Sequence, residues 1–202
     1  MLAHLIIPNL LAFTFAIPTP NAPTTNDALP STERWTIPRL NLHFMNGDTG
    51  IPGNQWPPEL HFETTMSFDV FIPHSQETTT CTAAWPNGTF PTELFKCSTS
   101  PNQKTAFALS PYTGLGERKP ELSFTLAVVN VVYTGPEDTG EAIYTGKVYV
   151  TANEPGVPTS YLTCLNGRPF DGMRCGLKGM MSVSGELGID VVRNDIGAGY
   201  DG

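Results

Sequence analysis

Residues 78–97 read TTTCTAAWPNGTFPTELFKC. Cys81 and Cys97 stand near the two ends, Pro86-Asn87-Gly88 supplies a turn, and strand-forming residues flank it on both sides. The pattern predicts a β-hairpin stapled by a disulfide. Asn87-Gly88-Thr89 is also an N-glycosylation acceptor, with Gly rather than Pro in the middle, so Asn87 is expected to carry a glycan at the hairpin tip. A second, tighter cysteine pair, Cys164 and Cys175, follows near the C-terminus.

The chain has 4 cysteines, an even number, for which three pairings are possible. Pairing sequence neighbours, Cys81 with Cys97 and Cys164 with Cys175, closes short loops and needs only hairpin geometry. Each bridge would then contribute about 3 kcal/mol on the chain-entropy model. Disulfides point to an oxidising compartment, and the N-terminus agrees. Residues 1–16, MLAHLIIPNLLAFTFA, hold no acidic residue and a short apolar run, with the small Thr14 and Ala16 where a signal peptidase reads; Ala22 is an alternative cleavage position. The run is too short and too Pro-interrupted to span a bilayer. A secreted, extracellular or cell-wall protein without a membrane anchor is expected.

At 202 residues the chain predicts one domain, large enough to bury a core without help from cross-links. A net charge of −8 makes nucleic acid and anionic membrane poor partners. Charged residues are only 15% of the chain and Gly and Pro number 19 each, the balance of a turn-rich, all-β exported protein. Residues 1–16 read as a signal peptide, 17–33 as a Pro/Thr-rich linker, 34–193 as the β domain and 194–202 as a Gly-rich tail. Within the domain, residues 59–72 alternate most cleanly, with Leu60, Phe62, Thr64, Met66, Phe68, Val70 and Ile72 on one face. In 35–46 the apolar phase slips at Pro38, where a bulge is expected. In 121–133 it passes from Leu122, Phe124, Leu126 and Val128 to Val129, Val131 and Tyr133, which predicts another bulge near Val128. Strands are also expected over 78–84, 93–98, 105–109, 142–152, 161–165 and 181–191. The fold class is thus all-β: a single compact β-barrel or barrel-like sandwich of about 9–11 mostly antiparallel strands with two disulfides.

Catalytic signatures are missing from the sequence. There is no G-x-S-x-G, no P-loop, and Gly114-x-Gly116 is too isolated to cradle phosphate. His61 and Glu63 would hold a metal only if a third ligand, such as His43, came from elsewhere; a solvated strand face is the preferred reading, and neither metal nor cofactor is expected. Acidic residues such as Glu137, Asp138, Glu141 and Glu154 fall in loops. Trp56 and Trp85, each beside proline, are the tryptophans expected to be exposed and are the weak candidates for ligand contact.

Cys81-Thr82-Ala83, the interval to Cys97, the tight Cys164…Cys175 pair and the Gly176 that follows it resemble the fungus-specific major allergen family first known from Alternaria. The likeness extends over about 34–193. The resemblance implies a compact β-barrel with disulfides Cys81–Cys97 and Cys164–Cys175, secreted by a filamentous fungus and without enzymatic activity. It also implies action as an effector or elicitor on host extracellular proteins, thaumatin-like plant defence proteins among them. The founding allergen's dimer is joined through an extra cysteine near the mature N-terminus. No cysteine lies between Ile17 and Thr80 here, so a monomer or non-covalent homodimer is expected. The alternative functions are a barrel that binds a flavonoid, phenolic or other apolar small molecule and, less favoured, a secreted carbohydrate-active enzyme.

Overall fold

The computed structural model describes residues 31–98, 103–133, 140–183 and 185–195. The expected signal peptide, most of the 17–33 linker and residues 196–202 of the expected tail lie outside them. The described residues form ten strands: β1 Thr32–Phe44, β2 Thr64–Ile72, β3 Glu77–Trp85, β4 Phe95–Lys96, β5 Gln103–Pro111, β6 Ser123–Tyr133, β7 Gly140–Ala152, β8 Ser160–Asn166, β9 Met173–Leu177 and β10 Leu187–Asp195. Two 3₁₀ turns, Pro58–Leu60 and Pro120–Leu122, complete the regular structure. The all-β class is as expected.

All ten strands join one mixed sheet in the order β3-β2-β1-β9-β8-β7-β6-β5-β4, with β10 pairing both β1 and β7. The N-terminal part of β1 pairs β10 (Thr32↔Val192 to Ile37↔Leu187), and its C-terminal part pairs β9 (Asn41↔Gly176 to Phe44↔Met173). On the far side β7 pairs β10 through Ala142–Gly146 and β8 at its own end, where Thr151↔Ser160 and Ala152↔Leu162 run parallel. β10 and the β8–β9 pair therefore share the space between β1 and β7.

The ends of this order, β3 and β4, meet at the Cys81–Cys97 disulfide. Ser98 N–H donates to Thr80 O (2.8 Å) and Thr80 N–H to Ser98 Oγ (3.0 Å), but no ladder forms between the two strands. The stapled hairpin of residues 78–97 is thus reduced to its staple, and β4 takes its ladder from β5 instead (Phe95↔Phe107, Lys96↔Ala106). Pro86 and Pro91 in the connection have no N–H to give a ladder, which explains why the arms do not zip.

Inward-facing residues of the sheet gather into one hydrophobic core. Trp35, Phe68, Phe107, Leu126 and Leu162 have no exposed surface at all. Phe68 of β2 meets Phe107 of β5 edge to face, ring centres 4.9 Å apart, so side chains from strands far apart in the sheet touch through the core. Burial of each such ring contributes about 2–3 kcal/mol, and an aromatic pair about 1 kcal/mol more.

Three strand readings resolve differently. The slip at Pro38 is a true register shift between Thr36 and Arg39, as expected. The 59–72 strand is shorter: Pro57 and Pro58 open a 3₁₀ turn, Leu60 N–H donates to Pro57 O, Leu60 is exposed, and the strand begins at Thr64. The bulge near Val128 is absent, because β6 keeps one register with β5 and β7 from Ser123 past Val129. Its inward set continues through Val128 to a fully buried Asn130, whose Nδ2 donates to Thr105 Oγ1 (2.8 Å) and Gln103 Oε1 (3.2 Å). Val129 and Val131 face outward. The last strand is also displaced: Leu187, Ile189 and Val191 are buried as expected, whereas Met181 is in the preceding turn region and 38% exposed.

Candidate functional site

Both disulfides are formed, Cys81–Cys97 and Cys164–Cys175. The second lies inside an antiparallel ladder, with Cys164 and Cys175 as register partners. The first spans the seam between the sheet ends.

The histidines do not converge. His43 Nε2 lies 2.5 Å from Asp171 O, His61 Nε2 3.3 Å from Trp56 O, and His74 Nδ1 2.9 Å from Glu33 Oε2. Among the described residues no three His, Cys, Asp or Glu side chains come together as metal ligands, so His43, His61 and Glu63 do not form the trio weighed from sequence.

Trp85 is a correction. Strand β3 runs through it to the edge of Pro86, which turns its ring inward, 4% exposed and 6.3 Å from Phe95. Trp56 is half-buried, donates Nε1–H to Asn46 O (2.6 Å) and packs edge-on against Phe62 and Phe170. Tyr144 stacks on His74 and Tyr112 on Tyr149, so the aromatics are dispersed rather than gathered into one platform.

Asn87 is not a free tip. Its Oδ1 accepts from Met45 N–H (2.8 Å) and Thr64 Oγ1 (2.9 Å), and its Nδ2 donates to Phe62 O. The adjacent Gly88 N–H donates to the buried Glu121 carboxylate (2.7 Å), which lies 3.2 Å from Thr64 Oγ1 and shares that hydroxyl's single hydrogen with Asn87 Oδ1. The turn is pinned to the sheet end, and a sugar on Nδ2 would compete with the Phe62 contact.

Two outer faces of the sheet differ sharply in chemistry. Over β10, β7, β6 and β5, the outward residues in register are Val192–Thr145–Val129–Ala106 and Lys147–Ala127–Ala108. With Leu94, 58% exposed, these residues other than the buried Ala106 line an apolar cleft of about 510 Å³, and Lys147 and Asp190 supply its charges. Gly146 lets β10 lie close: a Cβ there would sit 2.6 Å from Ile189 Cγ2 and 2.7 Å from Asp190 O. Exposed apolar surface gathered in this way marks contact sites. The sequence carries a signal of this face in the out-of-phase Val129, which the expected bulge near Val128 would instead turn inward.

Over β3, β2, β1 and β9 the outward face is polar. Its rows are Ala84–Thr65–His43–Arg174 and Thr82–Ser67–Asn41–Gly176, then Thr80–Asp69–Arg39. Arg39 grips Asp69 through two bonds (2.6 and 2.7 Å) and Arg174 grips Asp171 likewise (2.8 and 2.7 Å). Each guanidinium holds its partner carboxyl below the ordinary Asp range, chiefly through these hydrogen bonds.

Comparison with protein-family models, curated proteins and solved structures finds no match.

Proposed function

We propose that this chain is a secreted, non-catalytic recognition protein that acts by contact with a basic host extracellular protein. The observation that carries this reading is the apolar outer face of β5, β6, β7 and β10, with Leu94 and Val192 its most exposed apolar side chains. Burial of such a face, with Lys147 and Asp190 beside it, fits a protein contact with an apolar centre and polar rim. The net charge of −8 favours a basic partner through long-range attraction. The two disulfides fit an oxidising compartment. The resemblance to the Alternaria allergen family supports a fungal effector or elicitor, with thaumatin-like plant defence proteins as the partner class. We read the shape as a barrel whose seam is bridged by Cys81–Cys97.

Binding of a purified basic thaumatin-like protein to the wild type and to a Leu94→Asp, Val192→Glu variant tests this. Both positions are exposed, so folding should be preserved. The variant is expected to lose roughly tenfold or more in affinity, as for a contact at an interface centre. It should also lose any defence response on leaf infiltration. Equal binding by both proteins, or no binding by the wild type, would overturn the proposal.

A further inference from the structure

We propose that the opposite, polar face is a binding cleft for a neutral oligosaccharide. The outward surfaces of β1, β2, β3 and β9 border an open cleft of about 820 Å³, room for several sugar residues. Its floor is built from short polar side chains: Asn41 on β1, Thr65 and Ser67 on β2, and Thr82 on β3.

Three of these carry unused hydrogen-bonding capacity. Among the described residues the Asn41 carboxamide and the Thr65 and Thr82 hydroxyls have no protein partner, and all three residues are exposed. Ser67 is the exception; its Oγ accepts from Arg39 (3.3 Å). Hydroxyls and a carboxamide can each both donate and accept, which matches the dual character of sugar hydroxyls. Adjacent strands lie about 4.8 Å apart, close to the advance of one sugar residue, so a chain laid across β3, β2 and β1 meets Thr82, Ser67 and Asn41 in turn.

The electrostatics select against ions. Arg174, the fixed cation on the lining, is held by Asp171, and Arg39 at the border is held by Asp69. His43 is tied to the Asp171 carbonyl and stacked on Phe62 at 4.6 Å. Neither guanidinium is left uncompensated to bind an anion, and the chain's net charge repels polyanions. Ala84 of β3, exposed and in register with Thr65, belongs to the same lining and leaves room beside it.

NMR titration tests the assignment, with cello-, xylo-, chito- and laminarihexaose as neutral probes and an oligogalacturonide as the acidic one. At least one neutral hexasaccharide is expected to shift the amides of Asn41, Thr65, Ser67 and Thr82. Two variants should weaken it: Asn41→Ala with Thr82→Ala by about tenfold, from two lost hydrogen bonds, and Ala84→Trp by filling the cleft. Unchanged spectra elsewhere and retained melting temperature verify the fold. Leu94→Asp, on the other face, should leave saccharide binding intact, so this proposal and the protein-contact reading fail separately. Absence of shifts with every neutral probe at millimolar concentration, preference for the oligogalacturonide, or undiminished binding by both variants would overturn it.

Discussion

Removal of each disulfide in turn separates what loop closure does from what topology does. Cys81 and Cys97 are 16 residues apart and Cys164 and Cys175 are 11 apart. The chain-entropy model gives about 3 kcal/mol for either bridge, with only a few tenths between them. Melting would fall by about 6–12 °C in a domain of this size. All four sulfurs are buried, so paired Cys→Ala changes leave comparable small cavities. Their surroundings differ. Cys164 and Cys175 stay neighbours in the β8–β9 ladder after the bond is gone. Cys81 and Cys97 have no ladder between their strands, and what remains across that seam is the Ser98–Thr80 pair of bonds, the Trp85–Phe95 ring contact and the Gln103–Glu77 bond. The Cys81→Ala, Cys97→Ala protein should therefore lose more than the loop model allows, and should also open locally. In hydrogen exchange, the Ser98 amide should speed up roughly tenfold beyond the global loss, a local term of about 1.4 kcal/mol. Amides of β8 and β9 in the other double variant should track global stability only. Equal losses of melting temperature, with Ser98 exchange no faster than the rest, would refute a seam held by its disulfide.

Three further outcomes are expected. Asn87→Ala removes three hydrogen bonds at the sheet end and should cost about 2–4 kcal/mol in urea unfolding; intact mass of protein secreted from a yeast host should show Asn87 unmodified, and a glycan there with unaltered stability would contradict the internal clamp. Gly146→Ala should lower melting by several degrees, because its Cβ would press on Asp190 O and Ile189; an unchanged melt would mean that β10 can shift at little cost. Asp69 and Asp171 have folded pKa values below the ordinary value of about 3.9, so their stabilisation is complete above that value and is lost as pH falls through the lower folded values. Arg39→Gln should move the Asp69 carboxyl midpoint upward in a ¹³C NMR titration and leave Asp171 unmoved.

The strands were legible where alternation and burial coincide. β2 from Thr64 to Ile72, the bulge at Pro38 and the inward Leu187, Ile189 and Val191 all follow from period-two patterning. Alternation alone cannot say which face is buried when both are apolar. For that reason a bulge that turns Val129 and Val131 inward fits the pattern as well as a straight strand does, and nothing local marks the polar Asn130 as buried. Nor does local sequence distinguish a hairpin from two strand ends brought together by a disulfide, since both place Cys81 beside Cys97. The proline after Trp85 marks the end of a strand rather than the start of an exposed loop, a distinction the local sequence does not carry. The polar cleft had no linear signature at all. Asn41, Thr65 and Thr82 come from different strands and share a surface only through their register.

That β1 pairs with β9 and β10 sets a timetable for the chain's birth. The first strand cannot complete its inner edge until the last has been synthesised, since Thr32 waits for Val192 and Asn41 for Gly176. Pairings so distant in sequence slow the search for the native state to milliseconds or longer. Until then β1 offers an unpaired edge carrying Trp35, Leu40 and Phe44, an opening for misassembly that chaperones would have to cover before release.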